Sequence, residues 1–317
     1  MKAAVVHSAG NLPVWDEFAA PEVGAGEIRV RVRAAAISQL ARARAAGKHY
    51  SSRDNHPFVA GVDGVGMCED GRRVYFANPR PPQGSMAEEV AVAVGHCVPV
   101  PDDLDDVTAA ALANPGMSSW MALRERADLQ PGETVLINGA TGSSGALAVQ
   151  IARHFGAGRI IATGRNPQAL DELRETGVDE TISLNMDEAD QKSAFEAAFG
   201  QGVDVVLDYL WGASAGMILH ATAKIPDPAR SLRFVQIGSM TGDEIALPAA
   251  LLRSRDTVLM GSGIGSVAFD RMATSVRDLL AAASTAGFRI ETETAPLSQV
   301  ESAWSADTGN RRLVLTL

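Results

Sequence analysis

INGATGSSG, residues 137–145, closes the short apolar run TVLIN (134–138) and precedes a helical pattern with Leu147, Ile151 and Phe155 on one face. A glycine-rich turn alone says little, because glycine is the commonest turn residue. Between a strand and a helix, in a unit of about 30 residues, it is where a dinucleotide-binding fold holds phosphates. Ala140, Gly142 and Gly145 fall on the three places of that fingerprint, with Thr141, Ser143 and Ser144 between them. Gly142 lets the backbone approach a diphosphate, and Gly145 lets the helix pack against the strand. The helix N-terminus adds N–H groups and a partial positive charge, and the two serines add hydroxyl donors. This stretch predicts a phosphate cradle.

The next apolar run, RIIAT (159–163), leads into TGRN (163–166). NAD sites place an acidic residue there, about 20 residues past the glycines, to bind ribose hydroxyls. This chain has none. Gly164 leaves room for a 2′-phosphate, and Arg165 can pair with it through charge-assisted bonds. The competing reading of Arg165 is a solvated surface cation. NADPH is the expected cofactor. Asn166 and Pro167 read as the N-cap and first-turn proline of the following helix, and Asn166 joins Gly164 and Arg165 among the expected cofactor-binding residues.

Strand and helix patterns alternate through DVVLD (204–208), RFVQIG (233–238) and DTVLM (256–260). That rhythm predicts a parallel sheet with helices on both faces. The first hundred or so residues have another texture. EIRVRVRAA (27–35) alternates apolar and arginine positions, as a half-exposed strand does, and short apolar runs follow at 65–68, 73–77 and 89–94. ISQLARARAAG (37–47) reads as one short helix closed by Gly47. After Gly265 come an amphipathic helix, an alternating RIETETA strand (289–295) and a final LVLTL strand. The fold class is therefore α/β with a separate β-rich part.

A net charge of −10 argues against nucleic acid or an anionic membrane as partner. No apolar run approaches membrane-spanning length, and the N-terminus has no signal-peptide core. Two cysteines, Cys68 and Cys97, suit a reducing compartment. A cytoplasmic protein is expected.

The motifs together resemble the medium-chain dehydrogenase/reductase superfamily, in its zinc-free quinone oxidoreductase branch. The likeness runs from MKAAVV and GEIRVRVRAAAIS through PFVAGVDGVG (57–66), GRRVYF, GSMAEEVAV and LQPGETVLINGATGSSGALAVQIAR to SRDTVLMGSGIG and RRLVLTL. It implies a GroES-like catalytic domain from residues 1–114 and 264–317, a Rossmann NADPH-binding domain from 115–263, and an active site between them. In relatives the last Rossmann strand, here DTVLMGSG, pairs with its symmetry mate, which implies a homodimer and fits the liability of an apolar edge strand.

Departures narrow the chemistry. Zinc alcohol dehydrogenases of this superfamily have Cys at the place of Ser38 and Gly-His-Glu at Gly61-Val62-Asp63, so two catalytic-zinc ligands are missing, and no four-cysteine lobe is present. No metal is expected. Reduction of quinones or α,β-unsaturated carbonyls suits such a site, because delocalisation spreads the charge that hydride addition creates. Quinone oxidoreductases usually have Asn at the place of Ser38 and Asp at that of Ala41.

The resemblance also nominates residues. Tyr50, in GKHY (47–50), matches a tyrosine proposed as the acid in related enoyl thioester reductases, with His49 as competing donor. Ser38 can reach the nicotinamide ribose, and Ser118 matches a hydroxyl that contacts the nicotinamide. Gly238, Ser239, Ser262 and Ile264 follow later strands, at the sheet edge where ligands bind. Asp208 either faces the ribose or caps the next helix. Asp63 reads as a structural carboxylate bonding local N–H groups. The competing functions are a 2-enoyl-thioester reductase, which needs a basic rim for coenzyme A, and a non-catalytic NADPH-binding regulatory protein.

Overall fold

The computed structural model describes residues 1–49, 52, 55–225, 227 and 230–317. The chain forms two compact units, Met1–Asn114 with Phe269–Leu317, and Pro115–Ala268.

The second unit is built on six parallel strands: Thr134–Asn138, Arg159–Gly164, Glu180–Ser183, Val205–Asp208, Leu232–Gln236 and Thr257–Gly261. Counted along the chain, their order in the sheet is 3-2-1-4-5-6. The first and fourth strands are neighbours, so the chain reverses direction across the sheet between them. Loops leaving these two strands at their carboxyl ends diverge and open a crevice, the usual place for a ligand in such sheets. All five residues of Thr134–Asn138 are buried, which is why this strand reads as a continuous apolar run.

One face of the sheet sends Leu136, Ile161, Val206 and Phe234 into a core with Phe195 and Phe199 of helix Glu188–Gly200 and Ile218 and Leu219 of helix Gly212–Ala221. Complete burial of each phenylalanine stabilises the fold by about 2–3 kcal/mol. Helices Ser143–His154 and Pro167–Glu175 pack on the first three strands. Leu147 and Ile151 of the first and Leu170 and Leu173 of the second are buried, as their helical spacing requires.

The first unit joins both chain ends. A seven-stranded sheet centres on Glu27–Ala36, which pairs with Asp63–Cys68, Glu89–Ala93 and the C-terminal strand Arg312–Thr316. Val30 and Val32 are buried while Arg31 and Arg33 are exposed, as their alternation predicts. Its neighbour pairs are antiparallel except Thr292–Pro296 with Arg312–Thr316. The RIETETA strand thus begins three residues later than the alternation suggests. A three-stranded sheet joins Val14–Glu17, Lys2–Val6 and Phe58–Val59. The amphipathic pattern after Gly265 forms helix Phe269–Ala286, whose buried stripe includes Met272, Val276, Leu279 and Leu280.

Candidate functional site

The opening stretch is a strand, a tight turn and a helix. Thr134–Asn138 ends at Gly139, whose φ of +91° reverses the chain. Helix Ser143–His154 starts from Gly142, which brings no side chain to satisfy the first helical N–H groups. Gly142 is exposed and a side-chain carbon there would meet only the Gly139 carbonyl, at 3.7 Å. Gly145 is the opposite case. A Cβ on it would stand 2.6 Å from the Ala140 Cα and collide with the Gly139 carbonyl oxygen. Backbone therefore packs on backbone beneath the helix.

The turn is held from below. The Thr163 hydroxyl accepts from the Gly139 N–H at 3.0 Å, and the Thr163 carbonyl accepts from the Ala140 N–H at 2.8 Å. Against the helix's first turn, the Ser119 hydroxyl lies 3.2 Å from the Ser144 carbonyl and 2.8 Å from the Tyr209 hydroxyl. Both Ser119 and Tyr209 are buried, and burial pushes the Tyr209 hydroxyl up to about 12, so it remains protonated at neutral pH. Ser118 donates to the Pro115 carbonyl at 3.0 Å.

Arg165 is exposed at the end of the second strand, and no described residue forms a hydrogen bond or ion pair with its guanidinium. It borders a cavity of about 640 Å³ walled by Leu184, Leu210, Met217 and Ile245, with His220 and Glu188 also at its margin. The space above the Gly164 Cα is occupied by Thr141, whose methyl a Cβ would strike and whose hydroxyl it would approach to 2.8 Å. Gly164 makes room for a neighbouring side chain. Asn166 caps helix Pro167–Glu175 through its side-chain oxygen, which accepts from Ala169 N–H at 3.3 Å.

Asp208 is fully buried and makes the bonds of a cap. Its Oδ1 accepts from the Asn138 amide at 2.8 Å and from the N–H groups of Leu210 and Trp211 at 3.0 and 3.1 Å. Trp211 has φ +58° and ψ −155°, a conformation strained by about 1–3 kcal/mol for a non-glycine residue. The Asp208 carboxylate holds that turn at the start of helix Gly212–Ala221. Burial pushes its carboxyl up, opposed by the N–H of Trp211 and the Asn138 amide. Gly238 lies where a side chain would press on the Tyr209 carbonyl at 2.7 Å. Ser239 and Ile264 are exposed, and Ser262 is buried.

In the first unit, Ser38 is buried and caps helix Gln39–Ala45, accepting from the Ala41 N–H at 3.0 Å. Capping uses an acceptor lone pair and leaves its hydroxyl proton to donate. Tyr50 lies outside the described residues. Burial and the nearby Arg44 push the His49 imidazole down, away from the charged form. Asp63 differs from its sequence reading: it bonds no local N–H, but accepts from the Tyr75 hydroxyl at 3.2 Å and the Asn114 amide at 3.4 Å. Buried Arg312 offsets part of the burial that pushes its carboxyl up to about 6.

The zinc-binding dehydrogenase family profile matches residues 145–282. Over 99% of both chains, the sequence is 29% identical to a protein of Emericella nidulans named "Probable NADPH-dependent quinone reductase". Over 65% of each chain it is 31% identical to the 2-haloacrylate reductase of a Burkholderia species. The quinone oxidoreductase of Thermus thermophilus, solved also with NADPH, superposes over the whole of both chains at a TM-score of 0.82 and 28% identity. Together these matches support a place in the medium-chain dehydrogenase/reductase superfamily, in its quinone oxidoreductase-like branch. The profile match does not reach Ser38 or Val62, the positions compared above with zinc ligands of this superfamily. Among the described residues, no group of three or more His, Cys, Asp or Glu converges to hold a metal.

Sequence reading missed three parts of the site. Gly139 carries the positive φ, yet it stands outside the fingerprint. Tyr209 and Ser119 meet across 90 positions of sequence. Asn138 and Thr163 looked like the polar ends of apolar strands. Their proximity comes from the register of adjacent parallel strands, which a single sequence does not display.

Proposed function

We propose that the protein is an NADPH-dependent oxidoreductase that delivers hydride to quinones or α,β-unsaturated carbonyl compounds without a metal. The observation that carries this reading is the pairing of a helix N-terminus that Gly142 leaves without a side-chain cap with an exposed Arg165, whose guanidinium no described residue bonds, at the end of the neighbouring strand. The first suits a diphosphate and the second a 2′-phosphate. The absence of an acidic residue at that strand end favours NADPH over NADH. The named activities of the Emericella, Burkholderia and Thermus proteins support the same chemistry.

The 142–145 turn, with Ser143 and Ser144, holds the diphosphate, and the cavity beside Arg165 receives the adenosine end. Ser118 and the free hydroxyl proton of Ser38 serve the nicotinamide end. Bound NADPH supplies the hydride. Tyr50 is the group we assign to give the reduced substrate its proton. The phenol suits that task because it donates a hydrogen bond to a carbonyl before it gives up the proton.

The protein acts as a homodimer in this reading. Thr257–Gly261 is an edge strand, and Val258 and Leu259 on it are 42% and 37% exposed. An apolar edge of this kind invites pairing with a second copy. Val258→Lys is expected to halve the mass seen by sedimentation; an unchanged mass would rule out this edge. A cytoplasmic location fits the two free cysteines, and among the described residues no helix is long and apolar enough to cross a membrane.

The function is tested by following NADPH and NADH oxidation against simple quinones, enones and an enoyl thioester. Wild type is expected to prefer NADPH, and Arg165→Ala to lose about tenfold to hundredfold of that preference through the NADPH arm alone. Thioester turnover without quinone or enone turnover would replace the proposed substrate class. Saturable NADPH binding with no turnover would favour a regulatory protein.

A further inference from the structure

Beneath the glycine turn runs a hydrogen-bonded chain shut off from solvent. The Thr163 hydroxyl donates to Asn138 Oδ1 at 2.7 Å while accepting from the Gly139 N–H at 3.0 Å. Asn138 Nδ2 donates to Asp208 Oδ1 at 2.8 Å and to the Ser214 hydroxyl at 2.9 Å. Asn138, Thr163 and Asp208 have no exposed surface, and Ser214 has 7%. These residues lie at the carboxyl ends of the first, second and fourth strands and in the first turn of the helix after the fourth, so the chain crosses the sheet at its reversal point.

An apolar alternative exists at Thr163. Valine has the same shape and suits a buried parallel strand, as at Val135, Val205 and Val206. Placing hydroxyl and amide groups there is unfavourable unless their bonds are made. What this arrangement adds is control of Gly139, the positive-φ residue at which the backbone leaves the sheet ladder. Thr163 captures two successive amides of the turn, Gly139 with its side chain and Ala140 with its carbonyl. Asn138 fixes the Thr163 hydroxyl by accepting its hydrogen bond, which leaves a lone pair aimed at Gly139. Asp208 and Ser214 in turn fix the Asn138 amide.

We propose that Asn138 and Thr163 are positioning residues for dinucleotide binding: they hold the 139–142 turn in the conformation that aims the following helix at the diphosphate. This rests on the NADPH reading above, and the inference concerns residues buried beneath the turn.

The test compares Thr163→Val and Thr163→Ser with wild type, by NADPH fluorescence titration, steady-state kinetics, and hydrogen exchange of Gly139 and Ala140 in nucleotide-free protein. Thr163→Val strands the Gly139 N–H and Asn138 Oδ1. It is expected to raise the NADPH Kd and KM about tenfold to hundredfold and leave kcat at saturating NADPH within about twofold, a split that lost stability alone does not produce. Exchange at Gly139 is expected to quicken. Thr163→Ser keeps the hydroxyl and is expected to restore both. A valine variant that is less stable yet binds NADPH as wild type does would overturn the proposal. If wild type binds neither nucleotide, the NADPH reading has failed, and exchange then decides alone: unchanged protection of Gly139 in Thr163→Val refutes control of the turn, and faster exchange upholds it.

Discussion

Gly145→Val is expected to abolish measurable NADPH binding and to lower the unfolding midpoint by several degrees. The reason is backbone geometry. Even the first added carbon would stand 2.6 Å from the Ala140 Cα and collide with the Gly139 carbonyl, neither of which belongs to a flexible side chain. The helix has to lift from the turn, which carries its N-terminal N–H groups out of register with the phosphates and opens the buried packing of Leu147 and Ile151. Strain of this kind typically costs about 1–3 kcal/mol in stability. The loss in binding is expected to exceed about hundredfold, because several N–H contacts shift together. Gly142→Ala is the matched control. Its nearest neighbour would be 3.7 Å away, so the fold is expected to persist while a methyl group enters the space of the diphosphate. NADPH titration with thermal unfolding checks both, and tight binding by Gly145→Val would remove the cradle from the site.

Buried Asp63, with the charge of buried Arg312 acting on it, gives the second large effect, read as stability against pH. Burial pushes the Asp63 carboxyl up to about 6, with Arg312 opposing it, whereas an unfolded aspartate titrates near about 4. Below about pH 4 the group is protonated in both states and folding carries no charge-burial penalty. From there to about pH 6 the unfolded chain releases its proton first, so this group's contribution is lost as pH rises, by at most about 3 kcal/mol. Asp63→Asn removes that slope. Denaturant unfolding at pH 4.5, 5.5 and 7 is expected to show its stability, relative to wild type, rising with pH. Arg312→Met removes the cation that favours the Asp63 carboxylate and is expected to lower stability at pH 7. Adding Asp63→Asn to Arg312→Met is expected to recover much of that loss. Parallel pH profiles for wild type and Asp63→Asn would show that Asp63 does not titrate in this range.

Asp63 also shows where reading the chain in order falls short. A carboxylate in Gly-Val-Asp-Gly reads as a local turn ligand. Its partners instead come from Tyr75 on the neighbouring strand, Asn114 in a helix and Arg312 near the C-terminus. Asp208 is similar. Its capping alternative was legible from its place before a helix, but the bond from Asn138 depends on two strands lying side by side. The Thr141 side chain above Gly164 comes from a turn 23 positions earlier, which the strand sequence around Gly164 does not display.

The sequence by itself determined the elements and their period: a buried strand at TVLIN, a glycine turn, a helix with Leu147 and Ile151 inward, and Arg165 in place of an acidic residue. These depend on local backbone preference and on where apolar side chains recur, and both are written in consecutive residues. Only the tertiary structure decided what lies beneath the turn. Asn138, Thr163, Asp208 and Ser214 are spread over 77 positions and become one hydrogen-bonded chain when three parallel strands take their register. Burial then makes each of those polar groups depend on the others, since water cannot stand in for a missing partner.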